Sequence, residues 1–410
     1  MGSDMSKQDE LNEIIVKAER GDSTAQCLLG FSYCNGKGIG KNYEKAFEWF
    51  KASATQGNAY AQYMLGRLYC DGHGTKQSYG NAFECFKESS EQGNIHAQYW
   101  LGVMYYYGHG VVQSYKNASE CFECLEKSSE LGNDDAEYML GIMYYDGHGV
   151  EQSYEKAFEY FKKSSVRGNA DAQYMLGMMY YDGRGVKQSS EKAFEYFKKS
   201  SDQGDVYAQY MLGCMYLDCD EGVDWSDVEW SDVEWSDEKS FKYFEKSAKH
   251  GHPDSQCQLG HMYYDGRGVE QSYKKASEWY RKAAKQGEPD SQYELGFMYC
   301  YGIGVKQDYK KAYEWFGMAA EQGYAFGQYE LGNMYFCGKG IEQSSEKAFD
   351  LYKKSAVQGY VYAQHELGSM YAAGVGVKQD TELAIYWYKK AAGQGDMEAK
   401  KRLSELEQGE

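Results

Sequence analysis

Proline is nearly missing from this 410-residue chain: there are two. Proline breaks a helix from within, so its scarcity suits a chain of many short helices. No apolar run approaches the ~20 residues a membrane-spanning helix needs, and no hydrophobic secretory segment opens the sequence. The expectation is a cytoplasmic protein with no integral membrane span. Positive charge is also short. The chain has 44 Lys and Arg against 62 Asp and Glu, a formal net charge of −18. That excludes the clustered cationic surface that a nucleic-acid backbone requires. Eleven cysteines, an odd number without regular spacing, do not make a complete disulfide framework and fit a reducing compartment. No Ser-His-Asp or Cys-His arrangement recurs, and neither cofactor nor metal is expected.

What the chain has in excess is tyrosine (42) and glycine (47), and both fall on a period. A Leu-Gly pair recurs at Leu29, Leu65, Leu101, Leu140, Leu176, Leu212, Leu259, Leu295, Leu331 and Leu367. The spacing is 36 residues, except 39 after Leu101 and 47 after Leu212. A tyrosine stands four residues after every anchor (Tyr33 and Tyr69 in the first two), and a small residue four before. Positions −4, 0 and +4 share one helix face, and the glycine beside the leucine admits a second helix closely. This predicts helix A. G-x-G follows in nine of the ten repeats, as at Gly72 and Gly74 or Gly266 and Gly268, and predicts a left-handed cap and turn. These pairs lack the strand and third glycine of a nucleotide loop. Segments such as EKAFEYFKKSS, with Ala157 followed by Tyr160 and Phe161, predict helix B. A hairpin of this size buries its apolar side only against its neighbours.

The pattern A-x-x-x-L-G-x-x-Y-x-x-G-x-G-V followed by K-A-x-x-[WY]-[FY] resembles the Sel-1-like repeat (SLR) family, relatives of the tetratricopeptide repeat. The resemblance covers about residues 21–403. It implies an all-α, right-handed solenoid of about ten helix-turn-helix repeats, with A helices lining a concave surface and an adaptor or scaffold role. Residues 1–20 read as an extension and a leading B-type helix, and 396–410 as a polar closing helix, the cap an open solenoid end needs. A polar last helix argues against end-to-end self-assembly and for a monomer. Cysteine-rich members of the family are associated with β-lactam binding or hydrolysis. Those carry paired cysteines in every repeat, which this chain does not.

Two places break the period. Residues 218–238 hold ten Asp or Glu and no Lys or Arg, more than half the net negative charge, and contain the stutter DWSDVEWSDVEWSDEKS with Trp225, Trp230 and Trp235 five residues apart. This is an insertion of eleven residues into the loop of repeat 6, with helix B resuming at Glu238, between arrays at 21–217 and 239–395. Two readings stand: a solvated duplication, or a docking arm for a basic partner. The second break adds three residues to helix B of repeat 3. There Cys121-x-x-Cys124 reads as buried thiol, with Cys121 aligned to Cys85. The opening Met1-Gly2-Ser3-Asp4-Met5-Ser6 fits an N-myristoylation pattern at Gly2 and equally a vector-derived start ahead of Met5.

The second face of helix A, at −2, +2 and +5 from each anchor, is rich in tyrosine: Tyr63, Tyr99, Tyr106, Tyr138, Tyr145, Tyr174, Tyr181, Tyr210, Tyr264, Tyr293 and Tyr329. Tyrosine suits a binding surface, with a rigid apolar body and a polar tip, and it suits inter-repeat packing equally. This stripe is the expected surface for a protein or extended peptide. The position before the anchor changes from Met64, Trp100, Met139, Met175 and Met211 to Gln258, Glu294, Glu330 and Glu366. The three glutamates form a ladder that either selects a basic segment or simply faces solvent. His73, His109 and His148 recur at the G-x-G tip, but the ~10 Å step between stacked helix pairs is too long for one ion to bridge them.

Overall fold

The computed structural model describes residues 2–111, 115–217 and 236–408. Among these there are 22 helices and no strands, in consecutive antiparallel pairs as the period predicts. The chain divides into two compact units, Met1–Gln203 and Gly204–Glu410. Both helices of the interrupted repeat therefore fall in the second unit. The stretch carrying Trp225, Trp230 and Trp235 lies outside the described residues.

Repeat 5 shows how the sequence builds one hairpin. Helix A runs Ala170–Asp182 and helix B Ser190–Asp202. The Asn169 side chain accepts a hydrogen bond from the Ala172 amide and starts helix A. Gly183, at φ +70°, ends it in the left-handed conformation that favours glycine. The second glycine of the pair has a further reason. A Cβ on Gly185 would stand 2.5 Å from the Tyr154 backbone of the preceding helix B, so the turn is also a joint between repeats. The Ser189 amide then donates to the carbonyl of Tyr180, and Ser189 Oγ caps helix B. Within the hairpin the Phe197 ring lies flat on Gly177, where any Cβ would be 2.5 Å away. Phe197 is wholly buried, which is worth about 1.5–3 kcal/mol.

The recurrent tyrosine is explained by its three neighbours. In repeat 5 Tyr180 stacks on Tyr196, meets Phe158 of the preceding helix B edge-on, and lies under the Lys192 ammonium. Rings serve here as spacers between repeats as well as core.

A polar ladder was not anticipated from the sequence. The glutamine three residues before the anchor is buried, and its carbonyl accepts from the glutamine that ends helix B of the same repeat. Gln203 to Gln173, Gln286 to Gln256 and Gln322 to Gln292 are 2.8–2.9 Å. Its amide donates to the preceding helix B, as Gln256 to Ala248 and Gln292 to Ala284, both 3.2 Å. Repeats are thereby joined by hydrogen bonds inside an otherwise apolar seam. Where the helix B glutamine is replaced, by Leu131 in repeat 3 and His250 in repeat 6, the carbonyls of Gln98 and Gln209 are buried with no partner among the described residues.

Two sequence readings need correction. In repeat 3 the added residues form an extra turn at the start of helix B, Tyr115–Glu130, so the register counts back from the helix end. Leu125 takes the ring position against Gly102, which puts Cys121, wholly buried, in the place of Ala82 and Cys124 in the place of Cys85. Cys121 is a buried thiol as expected, donating to the Gly102 carbonyl at 3.2 Å. Helix B of repeat 6 begins at Asp237, one residue earlier than read, because Ser236 caps it. The first helix spans Gly2–Glu19 and seats Leu11 and Ala18 on Ala25 and Leu29. The last, Met397–Gln408, is polar outside and buries Ala399. No helix among the described residues is long and apolar enough to cross a membrane.

Candidate functional site

The −2 tyrosines are half-buried side chains leaning on their own helix B. Tyr138, Tyr174, Tyr210 and Tyr293 lie 5.8–6.0 Å, ring to ring, from Phe161, Phe197, Phe244 and Phe316. Tyr63 meets Phe86 in the same way and is the most enclosed, at 9% exposure. Tyr99 is also largely enclosed, and burial pushes its phenol well above the usual range. At +5 the hydroxyls are engaged across repeats. Tyr106 donates to Asp146 at 3.1 Å, and Tyr145 accepts from Arg184 at 2.7 Å. Tyr181 is half-buried, and Tyr264 packs edge-on to Tyr273. The stripe thus both packs and presents, which is why residue type alone did not separate the two uses.

The second unit adds a feature at −5 that sequence reading passed over. Phe326 and Tyr362 occupy that position and are 40% and 57% exposed. They join Tyr293, Tyr324, Tyr329 and Tyr360 in a connected ribbon of rings over repeats 8 to 10. Phe326 lies 5.7 Å from Tyr293 and 4.7 Å from Tyr360, and Tyr329 lies 5.1 Å from Tyr360 and 6.3 Å from Tyr362. Beside the ribbon run Glu294, Glu330 and Glu366. They are half-buried rather than solvent-facing. Burial raises all three carboxyls above the ordinary range, Glu294 to about 7. Glu330 accepts from Asn333 at 3.3 Å, and among the described residues none of the three is in a salt bridge. Aromatic surface next to half-buried carboxylates that make no salt bridge among the described residues is an unusual combination on a solvated protein face.

A second cluster lies at the junction of repeats 7 and 8. Cys257 and His261 sit one turn apart on the helix Pro253–Asp265, and Asp290 on the first turn of Pro289–Tyr301. Cys257 Sγ is 3.5 Å from His261 Nε2 and 3.4 Å from Asp290 Oδ2, and His261 Nε2 is 2.9 Å from Asp290 Oδ2. Tyr280 holds His261 Nδ1 at 2.9 Å, and the Tyr324 hydroxyl donates to Asp290 Oδ1 at 2.6 Å. Burial opposes protonation of His261, but the hydrogen bond and charge of Asp290 outweigh it and raise its pKa; Asp290 is lowered against its own burial by the same pairing. One imidazole nitrogen faces both the thiol and the carboxylate. A nucleophilic triad needs the base to touch nucleophile and acid through different nitrogens. The group is the one set of Cys, His, Asp or Glu side chains among the described residues with three ligand atoms brought so close together. A clue was legible: repeat 7 has Cys and His where most other repeats carry Tyr and an apolar residue, and Tyr280 where most carry Phe. Tyr352 and Tyr388 make the same exchange, and their hydroxyls also meet polar +2 residues, Asn333 and Ser369.

The tip histidines do not converge. His73 and His109 stack on Tyr43 and Tyr79 of the preceding helix B at 4.3 and 4.6 Å, and His148 packs on Tyr106. They are rings in the joints between repeats.

The profile of the Sel1 repeat matches residues 23–58, 59–94, 95–133, 134–169, 170–205, 206–223, 230–252, 253–288, 289–324, 325–360 and 361–396. The sixth and seventh segments are the two parts of the interrupted repeat. Among solved structures, the c5321 protective antigen of uropathogenic Escherichia coli, which displays an SLR fold, is 32% identical. It aligns over 97% of this chain and 82% of its own, with a TM-score of 0.74. A Sel1 repeat protein from Oxalobacter formigenes is also 32% identical, over 79% of this chain and 89% of its own, with a TM-score of 0.56. Among curated proteins no sequence matches.

Proposed function

Because the chain belongs to the Sel1 repeat family, whose members generally act as protein-interaction scaffolds, we propose that it is a non-enzymatic scaffold holding an extended, basic segment of a partner protein along the helix A face of repeats 8 to 10. The observation that carries this reading is the pairing of the aromatic ribbon with the glutamate ladder. Rings from Tyr293 to Tyr362 offer flat, rigid contact surface at low entropic cost. Glu330 and Glu366 are half-buried carboxylates that make no salt bridge among the described residues. A Lys or Arg of the bound segment supplies the missing counter-charge, and the desolvation already imposed on the carboxylates makes that pair stronger than one in water.

The test is selection of peptides from a random library on the full chain, followed by titration of the enriched sequences. Enriched peptides carry Lys or Arg flanked by apolar residues, and their affinity falls about tenfold or more with Glu330→Gln and with Tyr329→Ala plus Tyr362→Ala. Deleting residues 222–234 leaves binding unchanged. Enrichment without basic residues, or binding that survives the ribbon variants and is lost with the deletion, refutes this face and assigns recognition to the W-S-D-V-E segment.

A further inference from the structure

The Cys257, His261 and Asp290 cluster has dimensions close to those of a metal site. Tetrahedral zinc, with bonds of about 2.3 Å to sulfur and about 2.0–2.1 Å to nitrogen and oxygen, sets its ligands about 3.5 Å apart for sulfur–nitrogen and sulfur–oxygen and about 3.3 Å for nitrogen–oxygen. The corresponding separations here are 3.5, 3.4 and 2.9 Å. Two edges match, and the third opens by a few tenths of an ångström once the direct His261–Asp290 hydrogen bond is replaced by a shared ion.

The surroundings fit the same use. A metal-bound imidazole donates its other N–H to an oriented acceptor, and a ligating carboxylate is itself hydrogen-bonded. Tyr280 and Tyr324 occupy those two roles. Ser291, wholly buried beside Cys257, has no hydrogen-bond partner of regular geometry for its hydroxyl among the described residues; burial pushes the Cys257 thiol up, and the Ser291 hydroxyl offsets only part of that rise. The set mixes one thiolate, one imidazole and one carboxylate, which selects a cation of borderline softness over Mg2+ or Ca2+. An open cavity of about 260 Å3, lined by His261, Tyr264, Tyr293, Glu294 and Phe297, adjoins the histidine and leaves room for a water as fourth ligand.

We propose that Cys257, His261 and Asp290 bind one Zn2+-like divalent cation, with water completing the tetrahedron, and that the ion staples helix A of repeat 7 to helix A of repeat 8. Binding displaces the thiol proton of Cys257 and the proton between His261 and Asp290, so the affinity rises with pH. Such a staple fixes the spacing of two adjacent repeats within the second unit and stabilises the folded chain in proportion to metal concentration.

The experiment uses the full chain, stripped with chelator and titrated with Co2+. One equivalent is expected to give an intense thiolate-to-Co2+ charge-transfer band with the visible bands of tetrahedral cobalt, all abolished by one equivalent of Zn2+. Cys257→Ser removes the charge-transfer band, judged at unchanged helical circular dichroism. Tyr280→Phe installs the ring most other repeats carry at that position, so it folds. It keeps all three ligands and weakens Co2+ binding about 10–100-fold through loss of the outer hydrogen bond. Absence of the band in the wild type, its survival in Cys257→Ser, or an affinity unmoved by Tyr280→Phe each overturns the proposal.

Discussion

Replacing His250 with glutamine should stabilise the protein, although His250 lies on the surface and contributes little packing. In the flanking repeats the residue at this position, Gln203 or Gln286, donates to the buried carbonyl of Gln173 or Gln256 at 2.9 Å. His250 instead turns its ring toward the Lys246 carbonyl, 2.9 Å away on its own helix, and Gln209 Oε1 is left buried with no partner among the described residues. Gln209 is only 4% exposed, so bulk solvent does not reach the carbonyl freely. A buried acceptor without a donor costs about 1–3 kcal/mol, and a satisfied hydrogen bond nets about 1 kcal/mol. His250→Gln restores the ladder and should return about 1–2 kcal/mol, less the small loss of the His250–Lys246 contact. For a unit of roughly 200 residues each kcal/mol moves the midpoint by about 2–4 °C, so a rise of a few degrees is expected in calorimetry. The converse change, Gln286→Ala, should cost a similar amount by orphaning Gln256. A control isolates the mechanism: with Gln209→Met already present, His250→Gln should have no effect, since the acceptor is gone. Equal gains with and without Gln209 would refute the ladder argument and point to helix-terminal effects instead.

Gly177→Ala gains up to about 1 kcal/mol of helix propensity but places a Cβ 2.5 Å from the Phe197 ring, and overpacking at about 1–3 kcal/mol wins. Urea denaturation should show net destabilisation, and the cost should shrink when Phe197→Ala is already present, because the ring that the new Cβ meets is then gone. Glu330 has a folded pKa raised chiefly by burial, so the folded state holds its proton more tightly than the unfolded one. Its penalty is absent below the unfolded value near 4.5 and grows as pH rises through the folded value. Glu330→Gln should therefore be neutral near pH 4 and stabilising at pH 8 in thermal melts. Equal effects at both pH values would contradict the burial of that carboxylate. A thiol reagent at pH 8 should modify exposed Cys337 quickly, while Cys121, wholly buried with its pKa pushed up to about 12, reacts only on unfolding. Peptide mapping after timed labelling reads the order directly.

How much of this was written in the sequence follows from what a period can encode. Leu-Gly with tyrosine at +4, G-x-G and the aromatic pair of helix B recur because every repeat meets the same neighbours, so register, helix pairing and the capping ends were legible one repeat at a time. Departures were read less well. An extra turn at the start of Tyr115–Glu130 shifts Cys121 from the Cys85 position to the Ala82 position, and only the seat of Leu125 on Gly102 decides which end absorbed it. The glutamine ladder was visible as a recurring residue, but its meaning depends on donor and acceptor meeting across about thirty positions, which no local pattern states. Glutamate at 294, 330 and 366 likewise gave no sign of burial, because exposure on helix A depends on what the neighbouring repeats stack against it. Cys257 and His261 are neighbours on one helix turn. Asp290 is a neighbour only in space, set beside them by the step from repeat 7 to repeat 8. Sequence by itself determined the repeat and its fold, since those depend on local spacing and hydrophobic pattern. Tertiary structure alone decided which polar side chains meet, since that depends on the stacking of one repeat on the next.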